Sequence, residues 1–257
     1  LLLAELVGGA VADADARAAE LPLDAVIAAA ADAPPALDAL RALAPADRVK
    51  VIAEVKRASP SRGRLADIPD PAALASLYEA GGASAISVLT EQRRFLGSLD
   101  DLRAVRAAVG IPVLRKDFIA QPYQVYEARA AGADIVLLIV AALDQPTLES
   151  LHALTLSLGM TALVETHSAD EVARAVDAGA ALIGVNARNL DTFELDRDLF
   201  GTLADRIPTG VIRVAESAVL GPDDVAHYRA SGADVVLVGE ALVTSDPTAR
   251  LAEFLSV

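Results

Sequence analysis

Eight short runs that are apolar or β-branched at nearly every position recur along the chain. They are VIAEV (51–55), AISVL (85–89), PVLRKD (112–117), DIVLLIV (134–140), TALVETH (161–167), LIGVNAR (182–188), VIRVAES (211–217) and VVLVGEA (235–241). Runs without polar alternation are the pattern of strands buried on both faces, as in parallel sheets. Segments such as DPAALASLYEA, YQVYEARAA, ADEVARAVDA and PDDVAHYRA lie between them and space their apolar residues with a helical period. Four joints repeat almost letter for letter: EAGGAS (79–84), AAGADI (130–135), DAGAAL (177–182) and ASGADV (230–235). Each closes a helix and opens a strand, with Gly82, Gly132, Gly179 and Gly232 at the position where a left-handed residue ends a helix. Repeated βα units with eight strands predict an α/β fold, a closed (β/α)8 barrel. A doubly wound open sheet is the alternative, but no G-x-G-x-x-G follows an early strand. Residues 1–48 are Ala-rich, acidic and helical, broken near Pro22 and Pro34–Pro35. They predict an N-terminal helical extension capping a single barrel domain that spans 1–257.

In such barrels the chemistry gathers where the strands end. The eight runs end in Glu54 and Lys56; Thr90 and Glu91; Arg115, Lys116 and Asp117; the apolar Ile139–Ala142; Glu165; Asn186 and Arg188; Glu216 and Ser217; Gly239 and Glu240. Seven of the eight therefore end in polar residues, too many for packing alone to explain. A strand projects alternate residues onto one face. Glu54 and Lys56 thus share a face, Lys116 and Glu165 point into the mouth, and Arg115 and Thr166 turn toward the helices. In a partly dry mouth, burial is expected to push the lysines down and the glutamates up in pKa, toward acid–base use near neutrality. Small-residue loops SPSRG, ESAVLG and VGEALV follow the first, seventh and eighth runs. Backbone N–H groups there suit a phosphate, with Arg57, Arg62, Arg64 and Arg188 adding local positive charge.

Composition narrows the possibilities. Of 22 basic residues only Lys50, Lys56 and Lys116 are lysine, so a chain that otherwise uses arginine keeps lysine where a proton must be given up. The formal net charge of −14 speaks against nucleic acid or an anionic membrane as partner. No apolar run reaches membrane-spanning length. The opening LLLAELVGG has no basic segment and is not expected to be a signal peptide, and the missing initiator Met is read as a trimmed start. Zero cysteines, and three histidines (His152, His167, His227) in unrelated contexts, point to a cytoplasmic protein without a metal site. A monomer is expected.

The order and spacing of IAEVKRASPSRG, VLTEQRRFLGSLDDL, IPVLRKDFI, QPYQ, ALVETH, IGVNARNL, VAES and VLVGEALV, from about residue 48 onward, are similar to the indole-3-glycerol phosphate synthase family. The resemblance implies closure of 1-(2-carboxyphenylamino)-1-deoxyribulose 5-phosphate to indole-3-glycerol phosphate with loss of carbon dioxide and water, and no metal or organic cofactor. It implies Lys116 as general acid, Lys56 and Glu165 as acid and base in the dehydration, and Glu54 orienting Lys56 and reaching substrate hydroxyls. Asn186, Glu216 and Ser217 would bind the anthranilate and hydroxyl groups. Ser59, Arg188 and the turns at Ala218 and at Gly239–Glu240 would hold the phosphate, with SPSRG folding over the substrate. Phe95, Phe118, Leu137 and Leu190 would line the aromatic pocket. The family reads ESG where this chain reads ESA. If Ala218 is left-handed, its Cβ costs about 1–2 kcal/mol. A class I aldolase using Lys116 as a Schiff-base nucleophile, and a catalytically silent barrel, are the competing expectations.

Overall fold

The computed structural model describes residues 2–257. Three helices come first: α1 (Leu2–Glu20), α2 (Leu23–Asp32) and α3 (Ala39–Leu43). Eight strands follow: β1 (Lys50–Val55), β2 (Ala85–Leu89), β3 (Val113–Lys116), β4 (Ile135–Ile139), β5 (Thr161–Thr166), β6 (Leu182–Asn186), β7 (Ile212–Glu216) and β8 (Val235–Val238). All pair in parallel in chain order, and β8 pairs back onto β1 through Lys50↔Val235 and Ala53↔Val238, closing the barrel. The expected fold is the observed one. SPSRG is not an open loop, because Ala58–Ser59 and Gly63–Arg64 form a short antiparallel hairpin above β1.

Local sequence explains the helix boundaries. Among the helices outside the barrel are α4 (Pro71–Ala80), α5 (Leu99–Ala108), α6 (Pro122–Ala130), α7 (Gln145–Ser157), α8 (Ala169–Asp177), α9 (Leu199–Leu203), α10 (Pro222–Ala230), α11 (Glu240–Val243) and α12 (Pro247–Leu255). Prolines open α4, α6, α10 and α12, where a missing N–H costs nothing. The Asp70 and Asp246 carboxylates accept from the first-turn N–H groups of α4 and α12. At the four repeated joints the glycine has φ between +81° and +96°. The next N–H reaches back to the helix, as in Ala83 N to Tyr78 O and Ala133 N to Ala128 O, both near 3 Å. Gly159, φ +77°, makes a fifth such joint after α7.

Strand alternation splits the core in two. Outward residues such as Val51, Val88, Val136 and Val236 pack against Leu102, Leu148, Phe200 and Leu251 of the helices. Inward residues Ile52, Leu114, Ile135, Leu163, Val214 and Val235 fill the barrel. The extension meets both ends. At the bottom, Leu43 of α3 joins the inner cluster and Lys50 Nζ donates to Ala42 O at 2.8 Å. Over the top runs α1, where Leu6 faces the barrel mouth and Leu3 N donates to Asp191 Oδ1.

Candidate active site

The last inward position of most strands is polar, and these side chains converge on a cavity of about 450 Å³ at the C-terminal rim. Glu54 and Lys56 of β1 pair at 3.2 Å, as their shared face predicts. Lys116 Nζ stands at the end of β3, 3.7 Å from Glu54 Oε2 and 3.6 Å from Glu216 Oε2 of β7. Asn186 of β6 donates through Nδ2 to Glu165 Oε1 of β5 at 3.1 Å and accepts the Ser217 hydroxyl at 2.8 Å. Missing side chains make room for these groups. A Cβ on Gly239 would lie 2.7 Å from Glu54 Oε1, and one on Gly184 would lie 2.1 Å from Glu216 Oε1.

Apolar residues complete one wall. Phe95 and Phe118 lie with ring centroids 6.1 Å apart, and Leu137 and Leu190 line the same cavity. The opposite wall carries Ser59, Arg188, Ala218, Gly239 and Glu240. Ser217 and Ala218 are both left-handed, at φ 68° and 56°, so the feared strain at Ala218 is present. Arg62 from the hairpin pairs with Glu240 at 2.7 Å.

Every residue to which the family resemblance assigns a role borders this one cavity, but not every polar strand end does. Thr90 is buried beneath it, accepting from Arg115 Nε and donating to Asp117, while Glu91 accepts three backbone N–H groups from Arg93, Arg94 and Phe95. Arg115 faces the helices as expected and bonds Glu127 and Asp117. The contribution of β2 is instead Ser87, whose hydroxyl donates to Glu54 Oε2 at 2.9 Å. A serine at the inward parity of an apolar run was the available signal. Arg57 is tied to Asp101 and Ile68 O, and Arg64 to Asp67, so neither adds charge to the mouth. Leu6 was missed because nothing in an amphipathic extension says which barrel end it covers.

The electrostatics also differ from expectation. Burial alone would push Lys116 down, but the carboxylates of Glu54, Glu216 and Glu165 outweigh it and hold the ammonium above its ordinary pKa. Burial would raise Glu54, yet Lys116 and Lys56 bring it below the ordinary carboxylate range. Glu165 likewise falls to about 2, against burial, through His167 and Lys116. Only Glu216 behaves as first expected, raised well above its ordinary value by burial and by Glu165. At Lys116, Glu54 and Glu165 the interleaved opposite charges outweigh desolvation. Among the described residues, no group of three or more His, Asp or Glu side chains is arranged to hold a metal ion. No helix of the described residues is long and apolar enough to cross a membrane.

A charged lysine among carboxylates, beside an apolar pocket at the rim of a parallel barrel, defines an acid–base enzyme of the (β/α)8 class. Residues 3–254 match the family description indole-3-glycerol phosphate synthase. The protein of that name from Leifsonia xyli subsp. xyli is 72% identical over 256 residues, covering 100% of this chain and 98% of its own. Its counterpart from Mycolicibacterium gilvum is 62% identical, covering 99% and 94%. The chain belongs to the indole-3-glycerol phosphate synthase family, carboxy-lyases of tryptophan biosynthesis. Thiamine phosphate pyrophosphorylase from Pyrococcus furiosus shares the fold alone, with TM-score 0.60 and 16% identity over 80% of this chain and 93% of that one. So does an N-acetylmannosamine-6-phosphate 2-epimerase from Clostridium perfringens, with TM-score 0.59 and 14% identity over 76% and 87%.

Proposed function

We propose that the chain converts 1-(2-carboxyphenylamino)-1-deoxyribulose 5-phosphate to indole-3-glycerol phosphate by general acid–base catalysis, with Lys116 as the first acid. The observation that carries this reading is the position of Lys116 Nζ, within 3.7 Å of Glu54 and 3.6 Å of Glu216. An ammonium kept charged by its neighbours is an acid and a poor nucleophile, which favours protonation of the substrate ketone over a Schiff base. The ring carbon bearing the carboxylate attacks the ketone carbon, and Lys116 protonates the oxygen as its charge develops. Carbon dioxide then leaves and its bonding electrons restore the aromatic ring. In the last step the new hydroxyl departs as water with a proton from Lys56, and Glu165 takes the proton from the carbon beside nitrogen.

Glu54, anchored by Ser87, orients Lys56. Asn186, Ser217 and Glu216 bind the anthranilate and hydroxyl groups, with Phe95, Phe118, Leu137 and Leu190 around the aromatic ring. Ser59, Arg188 and the backbone N–H groups at Ala218, Gly239 and Glu240 hold the phosphate, for which the Arg62–Glu240 pair must open. The reading takes the protein as a cytoplasmic monomer that acts without metal, organic cofactor, membrane or nucleic acid. Purified protein incubated with the substrate should develop indole fluorescence. Lys116→Arg, which keeps charge but cannot readily give a proton, should lower kcat by about 10²–10⁴-fold. No fluorescence at high enzyme concentration overturns the proposal, and an adduct trapped by borohydride would favour the aldolase.

A further inference from the structure

Two carboxylates of the site meet over one glycine. Gly184 of β6 pairs in register with Glu165 on one side, and its missing Cβ is the space into which Glu216 Oε1 leans. Both glutamates are about 1% exposed. Like charges so placed do not both stay ionised easily, and the first proton belongs to the pair until something distinguishes its members. Lys116 does not, because its charge acts on both.

His167 does. It stands two residues beyond Glu165, with Nε2 3.3 Å from Glu165 Oε1. Its other nitrogen, Nδ1, lies 3.1 Å from Glu171 Oε2 of α8, and the same oxygen accepts the His167 backbone N–H at 2.8 Å. On its outer side a second cavity carries Glu194 and Asp196. The imidazole thus faces Glu165 from its own strand, Glu171 from the packed helix, and two acids from the loop after β6. Nδ1 is hydrogen-bonded to Glu171, whereas the buried Nε2 has no hydrogen-bond partner among the described residues and lies in ion-pair range of Glu165 alone of the catalytic pair. Glu216 has two buried oxygens with no hydrogen-bond partner among the described residues. That is where a proton is least opposed.

We propose that His167 is a positioning residue that makes the Glu165–Glu216 pair unequal, leaving Glu165 as the charged base and Glu216 as its neutral, hydrogen-donating neighbour. This rests on Glu165 acting as base in the ring closure proposed above. The direction of each titration agrees. Burial would lower His167, but Glu165 and Glu171 bring it up to about 10, while Glu216 is the one carboxyl raised. Two like side chains then serve two roles, one accepting the carbon-bound proton and one donating to a substrate oxygen.

The test has an arm that needs no turnover. Difference infrared spectra near neutral pH should show the carbonyl band of one buried protonated carboxylic acid. It should vanish in Glu216→Gln and persist in Glu165→Gln. No band, or a band lost with Glu165→Gln instead, overturns the proposal even if the enzyme makes indole-3-glycerol phosphate. The second arm is kinetic. His167→Gln keeps a hydrogen-bonding side chain but no charge, so Glu165 should take up a proton at higher pH. Activity at about pH 6 relative to about pH 8.5 should then fall about tenfold or more with KM little changed. Adding Glu216→Gln should bring the acid limb back down. An equal loss at every pH, or none, would reduce His167 to a structural residue. A wild-type protein without activity would sink the ring-closing reading but leave the infrared result standing.

Discussion

Ser217 and Ala218 follow one another in left-handed backbone, at φ 68° and 56°, immediately after a strand residue that faces the catalytic mouth. Non-glycine residues hold such a conformation only where their surroundings over-determine it. Here the Ser217 hydroxyl is bound to Asn186, and Ser217 O accepts from the Tyr228 hydroxyl at 3.2 Å. Ser217 has a side-chain contact that repays its strain, whereas Ala218 has only a methyl group against the proposed phosphate wall. Ala218→Gly should therefore stabilise the protein by about 1 kcal/mol, the relief of Cβ strain less the greater freedom of glycine in the unfolded chain. Urea unfolding midpoints would measure it. With the methyl gone from the phosphate wall, KM for the substrate should fall, and an unchanged KM would show that the wall does not press on the phosphate. His167 adds a pH dependence of known sign. Its folded-state pKa lies above its unfolded one, so its contribution is complete below about 6.5 and is lost as pH rises through about 10. Stability of the wild type should fall over that window more steeply than that of His167→Gln, at most by about 1.4 kcal/mol per pH unit.

At the scale of elements, the helix-to-strand joints were legible because their cause is local. A left-handed glycine and the backbone bonds it permits involve six consecutive residues, and the chain writes them four times over. The fifth joint, at Gly159, escaped because SLGMT lacks the flanking letters of the others. The joints separate conformational strain from crowding. A Cβ on Gly179 (φ +81°) meets nothing within 4 Å, whereas one on Gly132 (φ +95°) would lie 2.6 Å from Arg106 Cγ. Gly179→Ala should cost about 1–2 kcal/mol from backbone strain alone. Gly132→Ala should cost more, since Arg106, which bonds Val109 O and Asp134, must shift as well. Thermal or urea unfolding compares the two. Neither should alter kcat of the folded fraction, because the joints lie at the barrel end opposite the mouth. The β2 terminus shows the reverse case. Thr90 has the composition of a rim but not its parity, and its hydroxyl is taken up by Arg115 and Asp117. Glu91 has the parity of Ser87, but it lies beyond the strand and its carboxylate is taken up by the backbone turn of Arg93, Arg94 and Phe95.

Across the whole molecule the site is a charge lattice in a low-exposure setting, and Lys116 is its hub. Glu54 and Glu165 have folded-state pKa values below their unfolded ones, so their stabilisation is present above the ordinary carboxylate range and is lost progressively as pH falls from there through their folded-state values. Glu216 runs in the opposite sense. Lys116→Met removes the charge common to all three and should cost about 3 kcal/mol at neutral pH, as breaking a buried pair does. The deficit relative to wild type should shrink as pH falls through the carboxylate range, which urea unfolding at about pH 7 and about pH 4 would show; a deficit independent of pH would mean that Lys116 is not what keeps these carboxylates ionised. By itself the sequence determined the barrel, its eight strands, the inward parity of each and the residues at the mouth. Those follow from period-two alternation and from turns whose chemistry spans a few residues. Only the tertiary structure decided which end α1 covers, that Ser87 rather than Thr90 serves β2, that Gly184 makes room for Glu216, and that Lys116 gains rather than loses affinity for its proton. A charge state depends on distances among side chains from separate strands, and no stretch of chain encodes those before the barrel closes.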